Sequence, residues 1–69
     1  MNAREKFLIR LEKEARYKMN LIKRKILDPK ESKIGVVLNL IQLYDEALYE
    51  DLIKEYKIIY KNLQQNLVD

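Results

Sequence analysis

The chain has 69 residues, a formal net charge of +3, and neither cysteine nor histidine. A domain of this size buries only about 60% of the surface that its unfolded form exposes, so small domains usually add disulfides, a metal or a partner chain. The composition excludes disulfides and the usual structural zinc sites, which leaves association with another chain as the expected support.

The first predicted element is a helix over residues 3–27. Apolar residues recur at the helical period from Leu8 to Ile26, and neither glycine nor proline interrupts this segment. The N-terminus leads into it without the apolar stretch of a signal peptide, and no apolar run is long enough to span a membrane. We therefore expect a cytoplasmic protein without a membrane partner.

The side of this helix opposite its apolar stripe is basic. Residues 1–27 carry nine Lys and Arg against three Glu, a balance of +6. Helical projection places the candidate binding residues on or near that side: Lys6, Arg10, Lys13, Arg16, Tyr17 and Arg24. Such clustering is the electrostatic footprint of phosphate-backbone binding, but a solvated or protein-docking face has the same composition.

The predicted turn covers residues 28–32. Asp28 followed by Pro29 has the form of a helix start, with Asp as the N-cap and Pro at the first helical position. Ser32 is a competing N-cap. A tight connection of this kind favours antiparallel neighbours. Gly35, just beyond it, either permits a close helix crossing or has no special role.

The second predicted helix covers residues 33–66, and its apolar face is wide enough to contact more than one neighbouring helix. As one continuous helix it overhangs the shorter first helix, and a second copy would cover the overhang. The alternative is a bend near Tyr44 and Asp45 that folds the end back as a third helix. The candidate dimer interface comprises Ile41, Leu48, Leu52, Tyr56, Ile59, Tyr60, Leu63 and Leu67.

The predicted fold is therefore all-α: an antiparallel two-helix hairpin in a single domain, with a longer second helix, dimerising into a four-helix bundle. Its layout is similar to that of the small plasmid copy-number regulators. This similarity is at the level of fold alone.

The chain offers little for catalysis. It has no Cys, His or Thr, and Ser32 is its single serine, so a nucleophile with an adjacent base cannot be assembled. The carboxylates between Asp45 and Glu55 lack the histidine of helical di-iron sites, and we interpret them as a solvated acidic flank. We expect no catalytic, cofactor-binding or metal-binding residues and no small-molecule substrate.

Asp45 differs from the other carboxylates because it projects into the apolar stripe. An ionised group there needs a basic partner, a bend or water. If this carboxylate merely interrupts the stripe, replacing Asp45 by alanine should be neutral or mildly stabilising, and we expect this outcome.

The segment VLNLIQLYDEAL, Val37 to Leu48, resembles the second-helix signature of the small two-helix aspartyl-phosphate phosphatases that regulate sporulation. Their motif is Ser-Gln-x-Leu-Asp. Gln42 and Asp45 match it, whereas Tyr44 replaces the Leu and Ile41 replaces the Ser. The resemblance implies a phosphatase-like regulator in which Gln42 and Asp45 serve the reaction.

The sequence favours a small non-enzymatic homodimeric adaptor or regulatory protein that docks an unidentified protein or nucleic acid. One alternative is a nucleic-acid-binding regulator that uses the basic face of the first helix. A second is a divergent aspartyl-phosphate phosphatase-like regulator. The Ile-, Lys-, Tyr- and Asn-rich, Gly-poor composition suggests a viral or mobile-element product.

Overall fold

The computed structural model describes the backbone of residues 2–68 and the side chains of residues 2–65. Its regular structure consists of four helices: α1 (Ala3–Lys23), α2 (Pro29–Ser32), α3 (Ile34–Tyr44) and α4 (Glu46–Val68). No strand occurs within residues 2–68. The all-α prediction is confirmed.

α1 is capped at both ends. At its start, the Asn2 side chain accepts a hydrogen bond from the Glu5 backbone N–H at 2.8 Å. At its end, Lys25 adopts a left-handed φ of 62°, and the Ile26 N–H donates to the Leu21 carbonyl at 2.9 Å. This is a Schellman arrangement, with Lys25 where glycine is usual. It ends α1 at Lys23, four residues before the predicted limit, because the last carbonyls are satisfied there.

Of the two predicted caps of the turn, Asp28 is confirmed, whereas the N-cap position of α3 is Lys33, without a side-chain cap hydrogen bond, and not Ser32. The Asp28 carboxylate accepts from the Lys30 N–H at 2.8 Å and caps α2, whose first residue is Pro29. The Ser32 hydroxyl is buried; it donates to the Pro29 carbonyl at 2.6 Å and accepts from the Ile34 N–H at 3.1 Å, where α3 begins. The connection between α1 and α3 is therefore held by side-chain hydrogen bonds.

The second helix is not continuous, which corrects the prediction of one helix over residues 33–66. Asp45 is extended, with φ −154° and ψ 95°, and it separates α3 from α4. Its carboxylate accepts from the Leu48 N–H at 3.0 Å, the hydrogen bond of an N-cap. A carboxylate is stabilised at this positively polarised end of a helix. The break therefore lets the Asp45 carboxylate bind the Leu48 N–H, which would bond to a backbone carbonyl in a continuous helix.

The three long helices pack against one another. The rings of Phe7 and Tyr44 meet edge-on at a centroid distance of 5.6 Å, which joins the start of α1 to the end of α3. The Lys18 ammonium donates to the Ser32 carbonyl at the opposite end, so α3 runs antiparallel to α1. An ion pair between Arg16 and Glu55 shows that α4 returns alongside α1.

The core lies between α1, α3 and α4. Its buried apolar residues are Leu11, Ala15, Met19, Ile22, Ile34, Val37, Leu38, Ile41, Leu52 and Ile59. Because α4 folds back, Ile59 is only 8% exposed within a single chain. A second chain is therefore not needed to cover Ile59, whereas Ile58 and Tyr60 of the same segment remain 64% and 42% exposed. Gly35 is exposed and has nothing within 4 Å of an added Cβ, so no close helix crossing depends on it.

Candidate interaction surfaces

A basic stripe follows α1 on the side opposite the core. We call it the outer α1 stripe, and it comprises Lys6, Arg10, Lys13, Tyr17, Asn20 and Arg24, all of them exposed. The spacing of four and three residues keeps these side chains on one face of the helix. Among the described side chains, no ion pair involves its four cations. These charges are free to meet a partner.

The glutamates of α1 lie beside this stripe. Glu12 pairs with Arg16 at 3.0 Å, and Glu14 pairs with Lys18 at 3.8 Å. Arg16, which the sequence placed with the basic face, also reaches Glu55 of α4 at 3.3 Å. Arg16 therefore serves the packing of α1 against α4, and the free basic surface is made by the other cations.

A second surface is the outward side of α3. We call it the outer α3 face, and it comprises Val36, Asn39, Leu40 and Leu43. Val36 is 58% exposed and Leu43 is 78% exposed, although both are large apolar residues, while Leu40 is half-buried. α3 contains no charged residue. This face is not among the surfaces predicted from the sequence, although the helical spacing of the apolar positions 36, 40 and 43 indicates it.

The residues predicted to form a dimer interface lie mostly inside the single chain. Ile41, Leu52 and Ile59 belong to its buried core and cannot also be the contact surface of a folded partner. The half-buried members pack against that core: Leu48, Tyr56 and Leu63. Tyr60 is exposed, and Leu67 lies outside the described side chains. An interface between copies therefore cannot rest on Ile41, Leu52 and Ile59.

Two tyrosines of α4 border a shallow groove. The Tyr56 and Tyr60 rings have centroids 6.1 Å apart, and the groove beside them has a volume of about 430 Å³. Partial burial, and to a lesser degree Tyr60 and Asp28, raise the pKa of the Tyr56 hydroxyl above its ordinary value. The phenol therefore stays neutral near neutral pH. The groove walls come from α4 alone, and they place no carboxylate or thiol there.

The two residues that match the phosphatase motif have structural partners. The Gln42 amide donates to the Glu46 carboxylate at 3.4 Å, and the Asp45 carboxylate caps α4. Asp45 also lies in extended backbone, whereas the resemblance places it within a helix. Within the described residues, no three His, Cys, Asp or Glu side chains are grouped as metal ligands.

Replacing Asp45 by alanine is expected to lower the free energy of unfolding by about 1 kcal/mol, the usual cost of removing an N-cap. This reverses the neutral or stabilising effect expected from the sequence, because the carboxylate has a hydrogen-bond partner at 3.0 Å. Urea denaturation followed by circular dichroism measures the change. Asp45→Asn, which retains an oxygen that can accept from Leu48, should restore most of the stability, and an alanine variant as stable as the parent would contradict the cap.

No helix within the described part of the chain is long and apolar enough to cross a membrane. Comparison with models of known protein families, with curated proteins and with solved structures finds no match for this chain. The outer α1 stripe and the outer α3 face are therefore the features of the chain that bear on its function.

Proposed function

We propose that this chain is a non-enzymatic helical interaction protein. It forms a homodimer through the outer α3 face and presents its charged helices to a macromolecular partner. The observation that carries the proposal is α3 itself: it has no charged residue, and it leaves Val36 and Leu43 largely exposed on the side away from the core. Exposed large apolar residues grouped on one side of a helix indicate a surface that another molecule covers.

A second copy of the chain suits this face for electrostatic reasons. Each copy carries a formal net charge of +3. Contact through an uncharged helix joins two copies without placing like charges opposite one another, which would cost several kcal/mol. The basic outer α1 stripe, on a different helix, then remains available to another molecule.

A homodimer contact of ordinary size needs more surface than the four residues of the outer α3 face. A standard protein interface takes about 800 Å² from each partner, and the chain exposes 5353 Å². The outer α3 face alone is narrow, but Phe7 and Tyr44 extend it, since they are 40% and 39% exposed at the end of α3. Together they form a mainly apolar area that also contains Asn39, and at its end the Arg4 guanidinium lies over the Tyr44 ring, 5.4 Å from the ring centroid.

The proposal that the protein is not an enzyme is supported by the chemistry of its side chains. The sequence provides neither cysteine nor histidine, and its single serine is buried and hydrogen-bonded in the turn before α3. Gln42 and Asp45 each have a structural hydrogen bond, which does not favour the phosphatase-like alternative.

Light scattering of the purified chain tests the homodimer. The expected mass is twice the chain mass of 8.4 kDa at micromolar concentration. Leu43→Glu should give a folded monomer, because it places a carboxylate in the contact but leaves the core intact. Gln64→Glu is the matched control: it changes the net charge equally at an exposed position of α4 and should remain dimeric.

Two results would contradict the proposal. One is a wild-type chain that stays monomeric as its concentration is raised. The other is a Leu43→Glu variant that keeps the wild-type mass, since the contact would then lie elsewhere on the surface.

A further inference from the structure

We infer that the outer α1 stripe binds the phosphate backbone of a nucleic acid. This goes beyond the proposed homodimer and does not depend on it, because a single α1 carries the whole surface. The stripe extends from Lys6 to Arg24, which corresponds to about 27 Å along the helix axis.

The stripe is more basic than the whole chain. Its six positions hold four cations, one tyrosine and one asparagine, and no acid. Glu12 and Glu14 are turned to its flanks, where Arg16 and Lys18 neutralise them. In the structure these glutamates leave a local surface of +4, which attracts polyanions at long range.

The shape of the stripe favours a linear polyanion. Its cations form a row along one uninterrupted helix, on the outward side of the bundle. An α-helix presented in this way fits the major groove of a duplex, and a row of Lys and Arg can also follow a single-stranded backbone. The phosphates of a nucleic acid repeat at regular intervals along such a row.

Tyr17 and Asn20 supply interactions that charge alone does not. Tyr17 is 65% exposed in the middle of the row, so packing in the core does not require a tyrosine at this position. Exposed aromatic rings between cations stack on unpaired bases, and Asn side chains donate to phosphate and sugar oxygens. By contrast, the lysines of α4 share their exposed side with Glu50: Lys54, Lys57 and Lys61.

Those α4 lysines provide a matched control. Binding of labelled single- and double-stranded oligonucleotides is measured by fluorescence anisotropy at low salt. Changing Lys6, Arg10 and Lys13 together to Gln removes three charges, and changing Lys54, Lys57 and Lys61 to Gln removes the same number. Both variants fall from +3 to zero. Circular dichroism confirms that each remains helical.

The stripe variant should bind at least about tenfold more weakly, and its salt dependence should decrease by about one unit of slope for each phosphate that it no longer neutralises. The α4 variant should change affinity less than about threefold, as expected for a distant, screened charge. Tyr17→Ala should weaken single-strand binding more than duplex binding.

Several outcomes would overturn the inference: no binding by the wild type at low salt, equal weakening in both triple variants, or polyglutamate bound as tightly as the oligonucleotides. The last would assign the stripe to an acidic protein. Light scattering of the same samples keeps the two proposals apart, because a monomer that binds through the stripe contradicts only the homodimer, and a dimer that does not bind contradicts only this inference.

Discussion

Replacing Leu52 by alanine is expected to lower the free energy of unfolding by about 2–5 kcal/mol, the range for truncating a buried leucine. Leu52 is fully buried, and within the described side chains it is one of two α4 residues among ten buried apolar residues of the core. A domain of this length has a total stability of only about 3–10 kcal/mol. The variant should therefore lose a large part of the stability of the chain.

Urea denaturation measures the free energy of unfolding of Leu52→Ala and of a matched variant, Ile58→Ala. Ile58 lies on the same helix but is 64% exposed, so its truncation should change the stability by no more than about 0.5 kcal/mol. Equal stability of the two variants would show that α4 does not pack against α1 and α3.

Replacing Ile59 by aspartate has a comparably large expected effect. In the hairpin predicted from the sequence, Ile59 lies at an interface between copies, and a carboxylate there would either separate the dimer or unfold it. In the structure, Ile59 is 8% exposed within its own chain. The variant should unfold at every protein concentration, with a decrease in stability of about 3–5 kcal/mol, the cost of leaving a buried charge without a partner.

The adjacent residue supplies the control for this prediction. Ile58→Asp introduces the same carboxylate at a 64% exposed position and should remain helical. Helical content is measured together with mass over a concentration series. A folded, monomeric Ile59→Asp variant would contradict the intramolecular core and would restore the interface predicted from the sequence.

The local features of α1 and of the turn could be predicted from the sequence because they depend on near neighbours. The helical period alone places Lys6, Arg10 and Lys13 opposite Leu11 and Ala15. The cap at Asp28 follows from an aspartate before a proline, and the structure contains it. The pairing of Arg16 with Glu55 could not be predicted, since it joins residues that meet only after α4 has folded back.

The break at Asp45 follows less directly from the sequence, which gives a bend there only as the alternative. The apolar period continues from Ile41 through Leu48 and Leu52 as though one helix ran across it, and no glycine or proline marks the site. The residue type alone does not distinguish an aspartate that caps a helix from an aspartate on the surface of a helix. Burial of α4 against α1 and α3 decides between them, and that packing also buries Ile41, Leu52 and Ile59 of the predicted interface.

A single cysteine at position 39 provides the sharpest test of the α3 dimer, because the natural chain has none. Asn39 lies half-way along the length of the outer α3 face, so a two-fold contact through this face keeps the two copies of this residue close to each other. Under mild oxidation, Asn39→Cys should form a disulfide-linked dimer rapidly, and Lys57→Cys, exposed on α4, should not. Linkage at position 57 that equals or exceeds linkage at position 39 would contradict a dimer formed through α3.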